Sequence, residues 1–369
     1  MKDNFFGRNK EIESALRLLT DHNSLMLAAP RRVGKTSFAL KIEDVLEQRG
    51  WGTIYIDLEG VSNVDDFFLL LKERLLDLKC VSKSKKITEK IKELLPEVNI
   101  SAPIANAEVS VSIAAITSGY FRSLENILSS VDTPIIIVID EFTVLLEFIF
   151  NKYGLADVKM FMSQLRALRM ATSENCSWVI CSSVGVRNFA SIHKLSSTIN
   201  DLYDFTLGPF SNDEADKFIE ELCGAIGKQI SAENRQYLLA KIGWPLPYFI
   251  QLIISRIEQD VISEESIDQA YNNLLSTTFL DTWYERLAQE YQGNAQIAKS
   301  ILDYLSANPI GVEKEKIKNH IYSIYTDVDN DILRITLRSL EDDGYISTEN
   351  DICNFRSPLL REYWKRKFL

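Results

Sequence analysis

The segment Ala29-Pro30-Arg31-Arg32-Val33-Gly34-Lys35-Thr36-Ser37 separates a short apolar run from a helical pattern. Gly-Lys-Thr at such a junction suits a phosphate: loop N–H groups and the N-terminus of the following helix point at the anion and offset its charge. The Lys35 ammonium would reach the outer phosphate oxygens, and the Thr36 hydroxyl would ligate Mg2+. Gly34 would let the backbone approach without a Cβ in the way. Ala29 stands where such loops usually open on a glycine, which leaves open a scaffold that binds nucleotide without turnover. Further along, Ile135-Ile136-Ile137-Val138-Ile139 runs into Asp140 and Glu141. An acid at the end of a neighbouring strand would help hold the metal, which makes Asp140 the metal acid. Glu141, just beyond, is placed to act as general base toward a water.

These residues need a scaffold that brings distant strand ends together. Short apolar runs at 24–29, 53–58, 135–139, 178–181 and 205–207 alternate with helical patterns, the order of a parallel sheet with helices on both faces. One stretch interrupts it. It carries a basic cluster (Lys83, Lys85, Lys86) read as a solvated helix face, then an alternating run at 107–113 that predicts an inserted hairpin. From Ser211 the pattern is helical throughout, opening on Ser211 and Glu214 as a capping box and continuing near 231–242, 246–259, 265–275 and 279–291. Three more helical patterns follow near 295–306, 313–321 and 329–342. Gly344–Ser347, a polar turn and Ile352–Arg356 then read as a hairpin, an order that fits a winged helix-turn-helix.

Together these features resemble the archaeal-type P-loop ATPases of the AAA+/STAND group that carry a C-terminal winged helix. The leader Phe5-Phe6-Gly7-Arg8-Asn9-Lys10-Glu11 is similar to that family's F-x-G-R-x-x-E segment, and the loop is similar to its P-R-R-x-G-K-T form. The resemblance implies ATP with Mg2+ as the ligand and places Gly7 and Arg8 near the adenine. It also makes Ser183 a polar sensor after the fourth strand, and Pro245 of Gly243-Trp244-Pro245 a proline packed on the nucleotide. The implied fold class is α/β: a P-loop NTPase sheet domain over 1–210, an all-α lid over 211–292 and a winged helix over 293–369. Arg31 and Arg32 have better claims to phosphate proximity than Arg166, Arg169 or Arg187, each of which could add positive charge near the outer phosphate but reads first as a surface or ion-pairing residue.

The 369 residues carry a net charge of −11, which gives no overall pull toward nucleic acid or an anionic membrane. Five scattered cysteines without a C-x-x-C pair argue against a disulfide framework or zinc site, and three separated histidines against a histidine metal centre. No apolar run reaches the roughly 18 residues of a membrane span. The first residues also lack the layout of a signal peptide, so a cytoplasmic location is expected. The helix expected to meet DNA has acids Asp329 and Asp331 at its leading end. Its basic residues are Arg334 and Arg338, with Arg361, Lys365, Arg366 and Lys367 in the tail. Acids in that position repel phosphate, so a protein-docking or self-associating module is favoured, with a DNA-associated initiator as the alternative.

Overall fold

A computed structural model of the chain describes residues 5–30, 32–61, 63–82, 84–94, 113–182, 185–291, 294–326 and 328–368. Arg31, Lys83, Ser183 and nearly all of the expected hairpin at 107–113 lie outside the described residues. The chain divides into two compact units: Met1–Ala28 with Lys35–Leu207, and Ala29–Gly34 with Gly208–Leu369.

In the first unit, β1 (Ser24–Ala28), β2 (Gly52–Asp57), β3 (Ile135–Asp140), β4 (Cys176–Ser182) and β5 (Leu202–Thr206) form a sheet. It is parallel throughout, in the order β2-β3-β4-β1-β5. The expectation that the strand bearing Asp140 neighbours the loop's strand is corrected here, because β4 lies between β1 and β3. Local apolar runs identify strands but carry no information on their lateral order. Helices α1 (Asn9–Thr20), α2 (Lys35–Gln48), α3 (Val64–Asp77), α4 (Lys79–Ser82) and α5 (Lys85–Leu94) come first. They are followed by α6 (Ile113–Leu128), α7 (Phe142–Tyr153), α8 (Leu155–Ala171) and α9 (Gly185–Ile192).

Every residue of β3 is buried, as its run of β-branched side chains requires of a strand covered on both faces. Phe67 and Phe68 of α3, Phe121 of α6 and Phe161 of α8 pack edge to face, with ring centroids 5.1–6.5 Å apart. On α2, Phe38 stacks on Phe205 of β5 at 5.6 Å, which ties the helix carrying Lys35 and Thr36 to the sheet.

The second unit opens with α10 (Asn212–Ala225), which has the capping box read from the sequence. The Glu214 N–H donates to Ser211 Oγ and the Ser211 N–H donates to the Glu214 carboxylate. Two short strands, β6 (Gln229–Ile230) and β7 (Val261–Ile262), pair in parallel among α11 (Ala232–Ile242), α12 (Pro247–Ile254), α13 (Glu264–Leu275) and α14 (Asp281–Glu290), which corrects the expectation that 211–292 is all-α; two-residue strands leave no readable alternation. Next come α15 (Ala295–Ser306), β8 (Val312–Glu313), α16 (Lys314–Ile324), α17 (Asn330–Asp342), β9 (Ile346–Glu349), β10 (Ile352–Phe355) and α18 (Pro358–Phe368). The expected hairpin is present. Its two central residues, Asn350 and Asp351, both have positive φ (49° and 64°), the backbone that two-residue hairpin turns demand. β8 adds a third strand on β10, and two residues are too few for a readable pattern.

Gly243 closes α11 at φ 66°, and a Cβ built there would overlap the Pro358 ring. Left-handed strain and the clash reinforce each other, so Gly243→Ala is expected to lower unfolding stability by about 2–4 kcal/mol. Urea unfolding checks this, and a loss below about 0.5 kcal/mol would mean the turn relaxes freely.

Candidate functional site

The loop leaves β1 at Ala28 and enters α2 at Lys35, turning through Arg32 (φ 64°) and Gly34 (φ 93°). An added Cβ at Gly34 meets no protein atom within 4 Å, so the left-handed backbone is what calls for glycine there. Ala29 is buried but is not among the residues with positive φ, so its methyl brings no left-handed strain to the loop. Pro30 and Val33 are buried, and Thr36 and Ser37 are exposed at the start of α2. The exposed Arg32 guanidinium lies 4.5 Å from the Tyr248 ring centroid.

Three sequence-predicted residues converge with Lys35 at the C-terminal end of β3. Lys35 Nζ lies 3.2 Å from Glu141 Oε1 and 3.3 Å from Asp140 Oδ1. Thr36 Oγ1 donates to Asp140 Oδ2 at 2.7 Å. The Glu141 N–H donates to Asp140 Oδ1 at 3.0 Å. Glu141 itself is left-handed (φ 53°), a conformation costing of order 1–3 kcal/mol in a non-glycine residue. That turn joins β3 to α7 and leaves the carboxylate beside the Lys35 ammonium.

A fourth partner of Asp140 went unread in the sequence. Tyr55 of β2 donates its hydroxyl to Asp140 Oδ2 at 2.9 Å. The one available signal was a polar-tipped aromatic in the run beside the acid strand. Burial is the largest influence on the Tyr55 hydroxyl, and with the Asp140 charge beside it holds its pKa well above the ordinary value. Cys181 of β4 is also buried near this cluster, and burial followed by the Asp140 charge pushes its thiol far up.

Burial alone would raise the Asp140 carboxyl, but the Lys35 charge and the hydrogen bonds from Thr36, Tyr55 and the Glu141 N–H outweigh it, and its pKa is lowered. Burial would likewise lower Lys35, yet Asp140 and Glu141 together leave it raised. The stability that Asp140 contributes is therefore present above the ordinary carboxyl value of 3.8 and is lost as pH falls through the depressed native value. Asp140→Asn should flatten the acid side of the stability curve below about pH 4, by up to about 1.4 kcal/mol per pH unit. Urea unfolding at stepped pH measures this, and parallel curves for the two proteins would contradict it.

The other candidates have contacts of their own. Gly7 (φ 68°) and Arg8 (φ 59°) form the left-handed turn into α1, where buried Arg8 faces Glu11 at 3.9 Å. Pro245 belongs to the second unit, and its carbonyl accepts the Phe210 N–H at 3.2 Å. Arg169 is buried and forked on Asp201 (2.8 and 2.9 Å), and Arg166 reaches the same carboxylate at 3.5 Å. Asp201 precedes β5, at the N-terminal edge of the sheet and away from Asp140, so these two arginines are ion-pairing residues rather than phosphate partners. Arg187 pairs with Asp204 of β5.

Among the described residues no group of three or more His, Cys, Asp or Glu side chains could hold a metal. What the site offers is two hard oxygens in hydrogen-bond contact, from Thr36 and Asp140. That donor set fits Mg2+, which commonly takes one or two protein ligands and fills its shell with phosphates and water.

A parallel sheet in this order, with a Gly-Lys-Thr loop after β1 meeting an Asp-Glu pair after β3, defines a P-loop nucleoside-triphosphatase fold. The sequence model of the AAA-like domain family matches residues 8–320, and the chain belongs to that family. Among solved structures, the Walker-type ATPase PABY2304 of Pyrococcus abyssi is 13% identical with a TM-score of 0.66, over 98% of this chain and 97% of that one. The Aeropyrum pernix ORC2 protein, solved as ADPNP–ADP complexes, is 10% identical with a TM-score of 0.55, over 98% and 95%. No curated protein matches the chain in sequence. Among the described residues no single helix is long and apolar enough to cross a membrane.

Proposed function

We propose that the chain binds ATP with Mg2+, hydrolyses it slowly, and acts as a molecular switch of the STAND type. Nucleotide state would set the condition of a helical lid (211–292) and a C-terminal winged helix (293–369). The observation that carries the reading is the meeting of Thr36, Lys35, Asp140 and Glu141 within 2.7–3.3 Å. Thr36 and Asp140 would hold the metal, whose charge would offset that of the phosphates. Lys35 would leave the two carboxylates for the phosphate oxygens, and loop residues Pro30 to Ser37 would surround them. Glu141, released from Lys35, would accept the proton of the attacking water. By resemblance, Ser183 would sense the outer phosphate, while Gly7, Arg8 and Pro245 would contact the nucleoside.

A partner protein or a second copy of the chain fits the C-terminal region better than DNA does. On α17, Arg334 lies 3.2 Å from Asp331 and Arg338 lies 3.8 Å from Asp342, so each arginine is offset by an acid of its own helix. The likeness to the ORC2 structure is the observation favouring the initiator-like alternative. ATP turnover with and without duplex DNA separates the two. Stimulation by DNA with a steep salt dependence would favour the initiator, and turnover indifferent to DNA would favour the switch. Tight ATP binding with no turnover in either condition would leave a nucleotide-binding scaffold. A cytoplasmic location accords with the free cysteines Cys80, Cys176, Cys181, Cys223 and Cys353.

A further inference from the structure

We infer that Tyr55 is a positioning residue for the metal-holding carboxylate: its hydroxyl fixes the direction in which Asp140 presents its oxygens. The inference rests on the Mg2+-nucleotide reading above and deepens it. Asp140 Oδ2 accepts two hydroxyl donors, Thr36 Oγ1 at 2.7 Å and Tyr55 OH at 2.9 Å, while Oδ1 takes the Glu141 N–H at 3.0 Å and faces Lys35 Nζ at 3.3 Å. Two of these four groups have other work once nucleotide and metal arrive. Lys35 is drawn to phosphate, and the Thr36 oxygen turns to the metal. The groups left to orient the carboxylate are the Glu141 N–H, built into the backbone turn, and the Tyr55 hydroxyl.

The register explains why a tyrosine is needed. β2 pairs in parallel with β3, placing Tyr55 opposite Val138 and Asp57 opposite Asp140. Tyr55 and Asp140 are therefore diagonal neighbours on one face, and the long tyrosine side chain brings its hydroxyl to Asp140 Oδ2. Tyr55 also lines a cavity of about 810 Å3 together with residues of α2 and α3 such as Glu47 and Arg74. Phenylalanine would keep that surface and remove only the hydroxyl. The Tyr55 hydroxyl is spent on Asp140 Oδ2, so its effect on the metal would pass through that carboxylate.

The experiment is a Mg2+ titration of fluorescent N-methylanthraniloyl-ADP binding to the full chain, with a parallel measurement in EDTA. In Tyr55→Phe the Mg2+ concentration at half-maximal effect should rise about 10-fold, as for other partners that orient a metal ligand. Affinity in EDTA should match wild type, and the variant should still melt cooperatively. Tyr55→Leu should raise the Mg2+ midpoint no further than Tyr55→Phe, because the hydroxyl is the operative group. A midpoint within about twofold of wild type, or an equal loss with and without Mg2+, overturns the inference and leaves the nucleotide site standing. Wild-type protein that binds the probe in neither condition overturns the reading of the site itself.

Discussion

Lys35→Ala is expected to abolish nucleotide retention. In the structure the ammonium is buried against Asp140 and Glu141, a resting arrangement in which one cation offsets two carboxylates. Phosphate oxygens would replace those partners, and no other cation of the Lys35, Thr36, Asp140 and Glu141 cluster can take its place. Two charge-assisted hydrogen bonds at about 1.5–3 kcal/mol each correspond to roughly a 100-fold or greater loss of affinity. Equilibrium binding of a fluorescent ATP analogue measures it, and affinity within about threefold of wild type would remove Lys35 from the phosphate site. Removing the lysine also strands two carboxylates, so Lys35→Met, which restores side-chain bulk, should be run alongside with thermal melting. Loss of binding in a variant that still melts cooperatively assigns the effect to the site rather than to the fold.

Glu141→Gln should separate binding from chemistry. Glutamine keeps the length of the side chain and can still accept a hydrogen bond from Lys35, which lies 3.2 Å from Oε1. An amide cannot take a proton from water. Nucleotide affinity should therefore stay near wild type while turnover falls by about 10²–10⁴-fold, the usual contribution of a positioned general base. Single-turnover hydrolysis of ATP on preloaded protein reads the chemical step directly. Turnover at the wild-type rate would show that the base is another group.

Much of the site was legible because its residues announce themselves locally. Gly34-Lys35-Thr36 between an apolar run and a helical pattern, and an apolar run ending in Asp140-Glu141, each combine a chemical type with a neighbouring element. The Ser211 capping box and the hairpin turn at Asn350-Asp351 are equally local and were readable for the same reason. Tyr55 was not. A tyrosine in a strand run looks like core, and its partner Asp140 is 85 residues away. Arg166 and Arg169 read first as ion-pairing residues and second as phosphate partners, and Asp201, 32 residues on from Arg169, holds both. The meaning of a charged side chain depends on which opposite charge the fold places beside it.

Taken alone, the order of residues along the chain placed a Gly-Lys-Thr turn between a strand and a helix, an acid pair at a strand end and a run of helical patterns after Ser211. These rest on side-chain chemistry and on periodicities spanning a few residues. The tertiary structure decided that β4 lies between β1 and β3, that Lys35 rests on both acids 105 and 106 positions away, and that the Tyr55 hydroxyl meets Asp140. Those outcomes depend on lateral strand order and register, which arise from packing among distant segments and leave no local trace.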